Sequence, residues 1–233
     1  MTSNAIQWDI IPPEIKNDNF YYWIINIISN DISINKIIEI GASSGEGSTE
    51  AIIIGLLKQN HNNLNKIKLF SLEVCSERFI RLKARYEKIR FPYFIPLNMS
   101  SISINDFPSK QEITEFYNSV KTTLNQYPLE MVLSWYDKDQ EYIIKNDIPQ
   151  NGINYIKNQY KIDTFDLALI DGSEFTGLAE LTQVLGAKYI LLDDINAFKN
   201  YKTHELLKND KNYKCIIEDY KTRNGFSIFV KIA

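Results

Sequence analysis

Residues 36–49, with the sequence KIIEIGASSGEGST, constrain the fold of this chain more than any other segment. The β-branched run at 37–40 is typical of a strand buried in a parallel sheet, and the glycines that follow allow the backbone to turn sharply. The apolar segment after Ser48 and Thr49, either of which can act as a cap, predicts a helix that packs on the sheet. Unpaired N–H groups and the positive end of the helix dipole face such a turn. The three elements together are therefore typical of a loop that binds an anion or a cofactor.

The composition favours a single domain over residues 1–233, because a 44% hydrophobic content is enough for one substantial core. The net charge of -3 and the pI near 5.5 argue against a nucleic-acid partner, since phosphate binding depends on clustered Lys and Arg. The N-terminus lacks the features of a secretory signal, and no apolar run reaches the roughly 20 residues that span a bilayer. We therefore expect a cytoplasmic protein without a membrane partner.

Short apolar runs of strand type recur along the chain, and helical patterns separate most of them. They lie at 36–41, 67–74, 93–97, 165–171 and 189–193. Such alternation predicts βαβ units and a parallel sheet. The runs at 214–219 and 226–232 flank Asn224-Gly225 and predict a closing hairpin. The expected fold class is α/β, a Rossmann-like, seven-stranded, mostly parallel sheet with an antiparallel C-terminal hairpin strand.

Two segments lie outside this repeat. Residues 1–35 form an N-terminal helical lead, whose aromatic residues at 20–23 could cover a cofactor, contact a second copy in a homodimer or pack in the core. Residues 99–162 form an insertion with helical patterns near 113–124 and 149–160. It is too long for an ordinary crossover, and long insertions at this edge of a sheet commonly shape a substrate pocket. We therefore assign it to substrate recognition, with Trp135, Tyr136 and Tyr142 as candidate stacking residues.

Acidic residues stand at or near the ends of four of the predicted strands: Glu39, Glu73, Asp171 and the pair Asp193-Asp194. The carboxyl ends of parallel strands converge on one crevice, where ligands bind. Glu73, one strand after the glycine turn, is placed to accept hydrogen bonds from both hydroxyls of a ribose. Glu39 lies closer to the turn and could order the loop or contact a ligand amine.

The first half of the chain resembles class I S-adenosylmethionine-dependent methyltransferases, whose first motif has the form of EIGASSGEGS and whose second strand ends in an acid such as Glu73. The resemblance covers most of the chain and implies S-adenosylmethionine as the cofactor. It implies that the glycine turn surrounds the methionine part, that Glu73 binds the ribose, and that Met99 and Ser100 border the adenine. The full set of cofactor-binding residues that we predict is Glu39, Gly41, Ser43, Gly45, Ser48, Glu73, Met99, Ser100 and Asp171.

The second half, with FDLALIDGSEFTGLAEL and KYILLDDINAF, is similar to magnesium-dependent O-methyltransferases that act on sugars and other small hydroxylated compounds. This resemblance implies that Asp171, Asp193 and Asp194 hold one Mg²⁺ ion, a metal that carboxylate oxygens suit. A substrate hydroxyl on that ion would become more acidic. Asp171 is thus a candidate catalytic residue, and His204, in the helix after Asp194, is a candidate general base. The implied function is O-methylation of a small hydroxylated or sugar-containing acceptor.

Other functions fit parts of the sequence. The turn at 41–45 matches the G-x-S-x-G nucleophile elbow of esterases, with Asp194 and His204 following in hydrolase order. The same glycines have the spacing of NAD(P)-dependent short-chain oxidoreductases, which also need a Tyr-x-x-x-Lys pair such as Tyr117 and Lys121. A protein that binds the cofactor without catalysis is a further alternative.

Overall fold

The computed structural model describes residues 13–59, 66–87 and 93–232, so the first 12 residues of the N-terminal lead lie outside the described part. Seven strands form one sheet in the order β3-β2-β1-β4-β5-β7-β6. They are β1 (Lys36–Ile40), β2 (Lys68–Leu72), β3 (Phe94–Leu97), β4 (Leu167–Ile170), β5 (Tyr189–Asp193), β6 (Tyr213–Asp219) and β7 (Phe226–Lys231). The predicted strands are therefore confirmed to within a few residues at each end.

Strands β1 to β5 pair in parallel, whereas β7 runs antiparallel to both β5 and β6. The predicted mixed topology with a C-terminal hairpin is thus confirmed. The chain order reverses between β1 and β4, where one half of the sheet extends towards β3 and the other towards β6. In an open sheet of this kind, the crevice at the reversal is the usual place for a ligand.

Eight α-helices accompany the sheet among the described residues. They are α1 (Asn19–Asn30), α2 (Ser48–Lys58), α3 (Ser76–Glu87), α4 (Lys110–Ser119), α5 (Leu129–Lys145), α6 (Gly152–Tyr160), α7 (Gly177–Val184) and α8 (Phe198–Asn209). Helices α1, α2 and α3 pack on one face of the sheet, against residues such as Ile37 and Leu69. Helices α6, α7 and α8 pack on the other face, against Ile38 and Phe70. Alternate residues of each strand thus enter opposite cores, as strand geometry requires.

From residue 13 onward, the N-terminal lead packs into the core rather than standing apart from it. Asp18 caps α1 by accepting a hydrogen bond from the Tyr21 backbone N–H at 2.8 Å, and Phe20 stacks on Phe226 of β7 with ring centroids 4.7 Å apart. Of the three roles that the sequence left open for this aromatic cluster, the structure supports core packing. No helix in the described part of the chain is long and apolar enough to cross a membrane.

The insertion builds a small core of its own, in which Ile113, Leu124 and Val132 pack with Phe175. Its longest helix, α5, was not predicted as an element, although residues 113–124 and 149–160 were correctly expected to contain helices. The segment at 134–142, SWYDKDQEY, mixes aromatic and charged residues, and this mixture hides the helical period.

Candidate functional site

A cavity of about 320 Å³ lies at the carboxyl ends of β1, β2, β4 and β5, where the strand order reverses. Most of the residues predicted to form a site line it together: Gly41, Ser43, Ser48, Glu73, Met99, Ser100, Asp171, Asp193 and Asp194. Three others do not line it, namely Glu39, Gly45 and His204. The convergence expected from a parallel sheet therefore brings the two halves of the chain to one place.

Gly41 holds the loop after β1 against the end of β4. Its φ of +87° suits glycine, and a Cβ atom there would lie 1.8 Å from the Asp171 carbonyl oxygen. The Asp171 backbone N–H in turn donates to the Ile40 carbonyl at 3.0 Å. Only glycine fits this position, and it brings the loop into direct contact with Asp171.

Glu73 binds the loop through its carboxylate. One oxygen accepts a hydrogen bond from the Ser43 backbone N–H at 2.7 Å, and the other accepts from the Cys75 backbone N–H at 2.8 Å. The residue is 6% exposed, and burial raises the pKa of its carboxyl, although the two N–H groups and the charge of Arg78 act in the opposite direction. Each oxygen keeps a further lone pair, so a ligand in the cavity can still donate to this carboxylate.

Glu39 has a different environment, because it lies beneath the loop and is fully buried. It accepts hydrogen bonds from the hydroxyls of Ser48 at 2.6 Å, Thr49 at 2.8 Å and Ser71 at 2.5 Å. Burial raises the pKa of its carboxyl, and the three hydroxyls oppose that shift. Of the two roles that the sequence left open for Glu39, ordering the loop is the one that this geometry supports.

The other predicted loop residue outside the cavity is Gly45. A side chain there would meet Leu82 and Tyr86 of α3, and the Tyr86 hydroxyl donates to the Gly45 carbonyl. Gly45 therefore seats the loop on α3, while residues on either side of it line the cavity.

The three aspartates predicted to hold a metal lie together, with one oxygen from each within 4.8 Å of the others. The ammonium group of Lys199, in the first turn of α8, lies between two of them. Its Nζ is 2.7 Å from Asp171 Oδ1 and 2.7 Å from Asp194 Oδ2. Asp194 reaches this position with a φ of +55°, a conformation that Asp adopts more readily than most residues.

The third aspartate, Asp193, is paired with a second cation. Arg223, from the turn between β6 and β7, places Nη1 2.7 Å from both oxygens of Asp193. Its Nε donates to Asp18 at 2.7 Å. The guanidinium thus joins the end of β5 to the start of α1, and neither of its contacts was predicted.

Three neighbours fix the position of Lys199. Asn200 Nδ2 donates to the carbonyls of Ile170 at 3.0 Å and Asp193 at 2.7 Å, which ties the first turn of α8 to the ends of β4 and β5. Glu174 accepts a hydrogen bond from the Lys199 backbone N–H at 3.3 Å, at a helix start where Ala197 provides no side-chain cap. A Cβ atom on Gly177 would lie 2.1 Å from the Lys199 carbonyl, so that glycine permits the close approach of α7 and α8.

The protonation of this cluster follows from burial and charge. Burial alone would lower the pKa of Lys199, but Asp171 and Asp194 outweigh it and raise that pKa well above its usual value. Burial raises the pKa of Asp171 to about 6, against the opposing charge of Lys199. For Asp194, the charge of Lys199 outweighs burial and holds the pKa below its usual range. Burial also raises the pKa of Glu174 to about 7.

The cluster does not fit a divalent ion as it stands. Asp171 and Asp194 are bridged by one cation, and both oxygens of Asp193 bind another. A metal bound by all three aspartates would have to displace the buried ammonium of Lys199 and share Asp193 with the guanidinium. The carboxylates are the right ligands for Mg²⁺, but their charge is already balanced by the protein itself.

The insertion contributes Asp139, Tyr142 and Ile143 of α5 to the cavity lining. Asp139 of α5 accepts a hydrogen bond from Ser173 Oγ at 2.5 Å, and burial raises the pKa of its carboxyl. Tyr142, a predicted stacking residue, lines the cavity and accepts from the Ser76 backbone N–H at 2.9 Å. Trp135 and Tyr136 instead pack around the small core of the insertion.

His204, expected as a general base, lies outside the cavity because α8 turns it towards the C-terminal hairpin. Its Nδ1 is 3.0 Å from Ser227 Oγ and its Nε2 is 2.9 Å from Glu218 Oε1. It is 1% exposed, and burial lowers its pKa despite the opposing charge of Glu218. His204 therefore links α8 to β6 and β7, and Asp171 is the member of the predicted catalytic pair that lines the cavity.

Three residues of the site were not predicted from the sequence: Lys199, Arg223 and Asp139. Lys199 follows Asp194 by five positions, in the first turn of α8, and that spacing places its ammonium group near the end of β5. Arg223 precedes the Asn-Gly of the predicted hairpin turn, a place where a charged residue is usually solvated. Asp139 lies in the helix that was not predicted, so no sequence signal pointed to it.

This architecture is similar to that of several solved structures, each of which aligns over most of its length. The O-methyltransferase from Bacillus cereus, in complex with SAH, has a TM-score of 0.59 at 14% identity over 95% of this chain and 84% of that one. A putative caffeoyl-CoA O-methyltransferase from Staphylococcus aureus has a TM-score of 0.55 at 12% identity, over 96% and 85% of the two chains. The O-methyltransferase TomG from Streptomyces achromogenes, in complex with SAM, has a TM-score of 0.52 at 10% identity, over 91% and 79%.

No family model and no curated protein matches the sequence. The likeness to solved structures, at these identities, establishes the fold. The chain shares its fold with these O-methyltransferases, which confirms the Rossmann-like fold expected from its sequence.

Proposed function

We propose that this protein is an S-adenosylmethionine-dependent methyltransferase that methylates an oxygen of a small hydroxylated acceptor. The observation that carries the proposal is the position of Glu73, a buried carboxylate that lines the cavity and accepts hydrogen bonds from the glycine-rich loop on one side and from Cys75 on the other. The fold shared with SAH- and SAM-bound O-methyltransferases supports it.

The residues around the cavity fit this cofactor. A volume of about 320 Å³ is within the range of small-molecule sites. Glu73 offers a carboxylate to the ribose hydroxyls, and Met99 offers an apolar contact to the adenine. The first turn of α2 receives no side-chain cap at Gly47, so its N–H groups suit the carboxylate of the methionine part. When bound, the cofactor supplies an electrophilic methyl group on a positively charged sulfur.

The residues at the ends of β4 and β5 and those of the insertion are proposed to hold the methyl acceptor. Asp171, Asp194 and Lys199 line the cavity beside the loop, and Asp139 and Tyr142 border it from the insertion. Polar groups of both signs suit an acceptor with hydroxyl groups, since a hydroxyl both donates and accepts hydrogen bonds. Asp171, whose pKa is raised to about 6, is placed to accept a proton near neutral pH. The Mg²⁺ ion implied by the resemblance would have to replace Lys199 in this cluster.

The alternatives are less well supported by the same geometry. An esterase would need His204 near Ser43, whereas His204 is enclosed by Ser227 and Glu218. A short-chain oxidoreductase would need Tyr117 in the cavity, but its hydroxyl donates to the Tyr127 carbonyl at 2.7 Å within the insertion. His204, Tyr117 and Lys121 do not line the cavity that Glu73 lines.

Calorimetric titration with S-adenosylhomocysteine, and with NAD for comparison, tests the cofactor assignment. We expect micromolar binding of S-adenosylhomocysteine, no comparable binding of NAD, and a loss of roughly 100-fold in affinity in Glu73→Ala, because the charged acceptor is removed. Glu130→Ala, at an exposed position of α5, is the matched control and should bind as the wild type does. Preference for NAD, or equal binding by Glu73→Ala, would contradict the proposal.

Detection of a methylated product from any hydroxylated acceptor by mass spectrometry tests the catalytic part separately. If the protein binds the cofactor but methylates none of a panel of sugars and phenols, the alternative of a cofactor-binding protein without catalysis is favoured.

A further inference from the structure

We propose that Lys199 takes the place of a divalent ion in this site, so that its ammonium group binds the acceptor oxygen and the reaction needs no metal. This inference rests on the proposed function, because it names the group that receives the acceptor. It assigns a role to a residue that neither the resemblance nor the sequence pattern singled out.

Cations of the protein itself already balance most of the charge of the three aspartates. Asp171 and Asp194 share the ammonium at 2.7 Å each, and Asp193 binds Arg223 through both oxygens at 2.7 Å. Three carboxylates and two cations leave one negative charge in the group. A divalent ion among the same oxygens would repel both cations at close range in a buried site, where such repulsion is strong. The protein has thus supplied the positive charge that a metal would otherwise bring.

The ammonium group of Lys199 has one more N–H donor than its two carboxylate partners use. A lysine side chain has three N–H donors, and the carboxylates of Asp171 and Asp194 use two of them. Among residues 13–59, 66–87 and 93–232, no third protein oxygen accepts a hydrogen bond from Nζ. Lys199 also lines the cavity. The remaining N–H donor is therefore available to the oxygen of the methyl acceptor. A metal ion held by the aspartates would bind that same oxygen.

Burial and two neighbouring residues hold Lys199 in place. It is 8% exposed, its helix start is tied to β4 and β5 by Asn200, and Glu174 accepts from its backbone N–H. A surface lysine samples many rotamers, whereas this one has a fixed position between two strand ends. A fixed ammonium donor beside the acceptor hydroxyl stabilises the negative charge that develops on its oxygen as the hydroxyl proton is removed.

Metal binding can be measured on the wild-type protein alone. We expect the electron paramagnetic resonance signal of free Mn²⁺ to persist when equimolar protein is added, because Lys199 excludes the ion. We also expect methyl transfer to proceed at the same rate in chelator and in excess Mg²⁺. Binding of one equivalent of Mn²⁺, lost in Asp171→Asn, or turnover that stops in chelator, would overturn the proposal.

Variants of Lys199 test its role in acceptor binding. In chelator, Lys199→Met should lose roughly 100-fold or more in kcat/KM for the acceptor while keeping its affinity for S-adenosylhomocysteine. Lys199→Arg should recover part of the loss, since it restores the charge. Lys202→Met, which removes an exposed lysine from the same helix, is the control and should keep full activity. Equal kcat/KM values for Lys199→Met and Lys202→Met would overturn the proposal.

The two proposals fail in different ways. A protein that does not bind S-adenosylhomocysteine refutes the proposed function, whereas the Mn²⁺ titration reports on the position of Lys199 whether or not the cofactor binds. If Lys199→Met does not fold, the titration and the chelator experiment on the wild type still decide between an ammonium and a metal.

Discussion

The two halves of the cavity hold their carboxylates by different means. At the ends of β1 and β2, Glu39 binds three hydroxyls and Glu73 binds two backbone N–H groups, all of them neutral donors. At the ends of β4 and β5, the carboxylates bind Lys199 and Arg223. Both halves satisfy buried acids. In the second half the bonded partners are cations, whereas in the first the charge of Arg78 acts on Glu73 alongside the neutral donors.

This difference determines what each half can do. Neutral donors leave a carboxylate free to accept further hydrogen bonds from an uncharged group, such as a ribose hydroxyl. Charge pairs fix the position of their members, and removal of one member leaves the other buried without compensation. We therefore expect substitutions in the first half to change ligand affinity and substitutions in the second to change folding stability as well.

The largest effect on folding should come from Arg223→Met, which leaves the carboxylate of Asp193 buried without its partner. We predict a loss of roughly 3–5 kcal/mol in the free energy of unfolding, measured by chemical denaturation. The double variant Arg223→Met with Asp193→Asn should recover much of that loss, because the buried charge of Asp193 is removed together with its partner. If Arg223→Met alone is as stable as the wild type, the proposed distinction between the two halves is wrong.

A smaller effect is expected from Glu73→Gln in the first half. The amide keeps one acceptor oxygen but replaces the other with a donor, which faces a backbone N–H rather than accepting from it. We predict that affinity for S-adenosylhomocysteine falls by about 10- to 100-fold in calorimetry. A Glu73→Gln protein that is badly destabilised yet binds normally would show that Glu73 has a structural role instead.

In the second half, Glu174 lies beside the charged cluster and accepts from the Lys199 backbone N–H. We expect its carboxyl to make the folding stability of the protein depend on pH. Its folded pKa of about 7 lies above the usual value of 4.5, so the folded state favours the protonated form. Wild-type stability is then reduced as pH rises from about 4.5 to 7. Glu174→Gln lacks this penalty, and we predict a gain of order 1–2 kcal/mol over the wild type at pH 8 that disappears near pH 4.

Parallel denaturation curves at the two pH values would check this prediction. A Glu174→Gln variant whose advantage is the same at pH 4 and pH 8 would mean that the carboxyl does not titrate with a raised pKa.

The smallest effect should come from Glu39→Gln. Because hydroxyls can donate to an amide oxygen as they do to a carboxylate, we predict a loss of about 1 kcal/mol in stability and no more than about a twofold change in affinity for S-adenosylhomocysteine. Thermal unfolding and calorimetry on this variant sharpen the contrast with Glu73→Gln. A tenfold loss of affinity in Glu39→Gln would mean that Glu39 contacts the ligand after all.

Much of the fold could be predicted from local patterns. The run at 37–40 and the glycines after it specify a strand and a turn, and the acids that follow each apolar run necessarily meet at one edge of a parallel sheet. The positions of Glu73, Asp171 and Asp194 in the cavity follow from that topology alone.

The partners of these acids could not be predicted, because they come from distant elements. Arg223 lies 30 positions from Asp193 along the chain, and the orientation of its side chain depends on how the hairpin turn packs. His204 and Lys199 are on the same helix, yet the rotation of α8 brings only Lys199 to the cavity. Such rotations depend on tertiary packing, which the helical period of a polar helix does not specify.

A crystal structure of the protein grown with S-adenosylhomocysteine and manganese chloride, with data collected at the manganese absorption edge, would test both halves at once. We predict ribose hydroxyls within hydrogen-bond distance of Glu73, the Lys199 ammonium between Asp171 and Asp194, and no anomalous peak among the three aspartates. An anomalous peak there with Lys199 displaced, or a ligand bound away from Glu73, would contradict the division between a half whose cofactor-binding carboxylate is held by neutral donors and a half that carries its own cation.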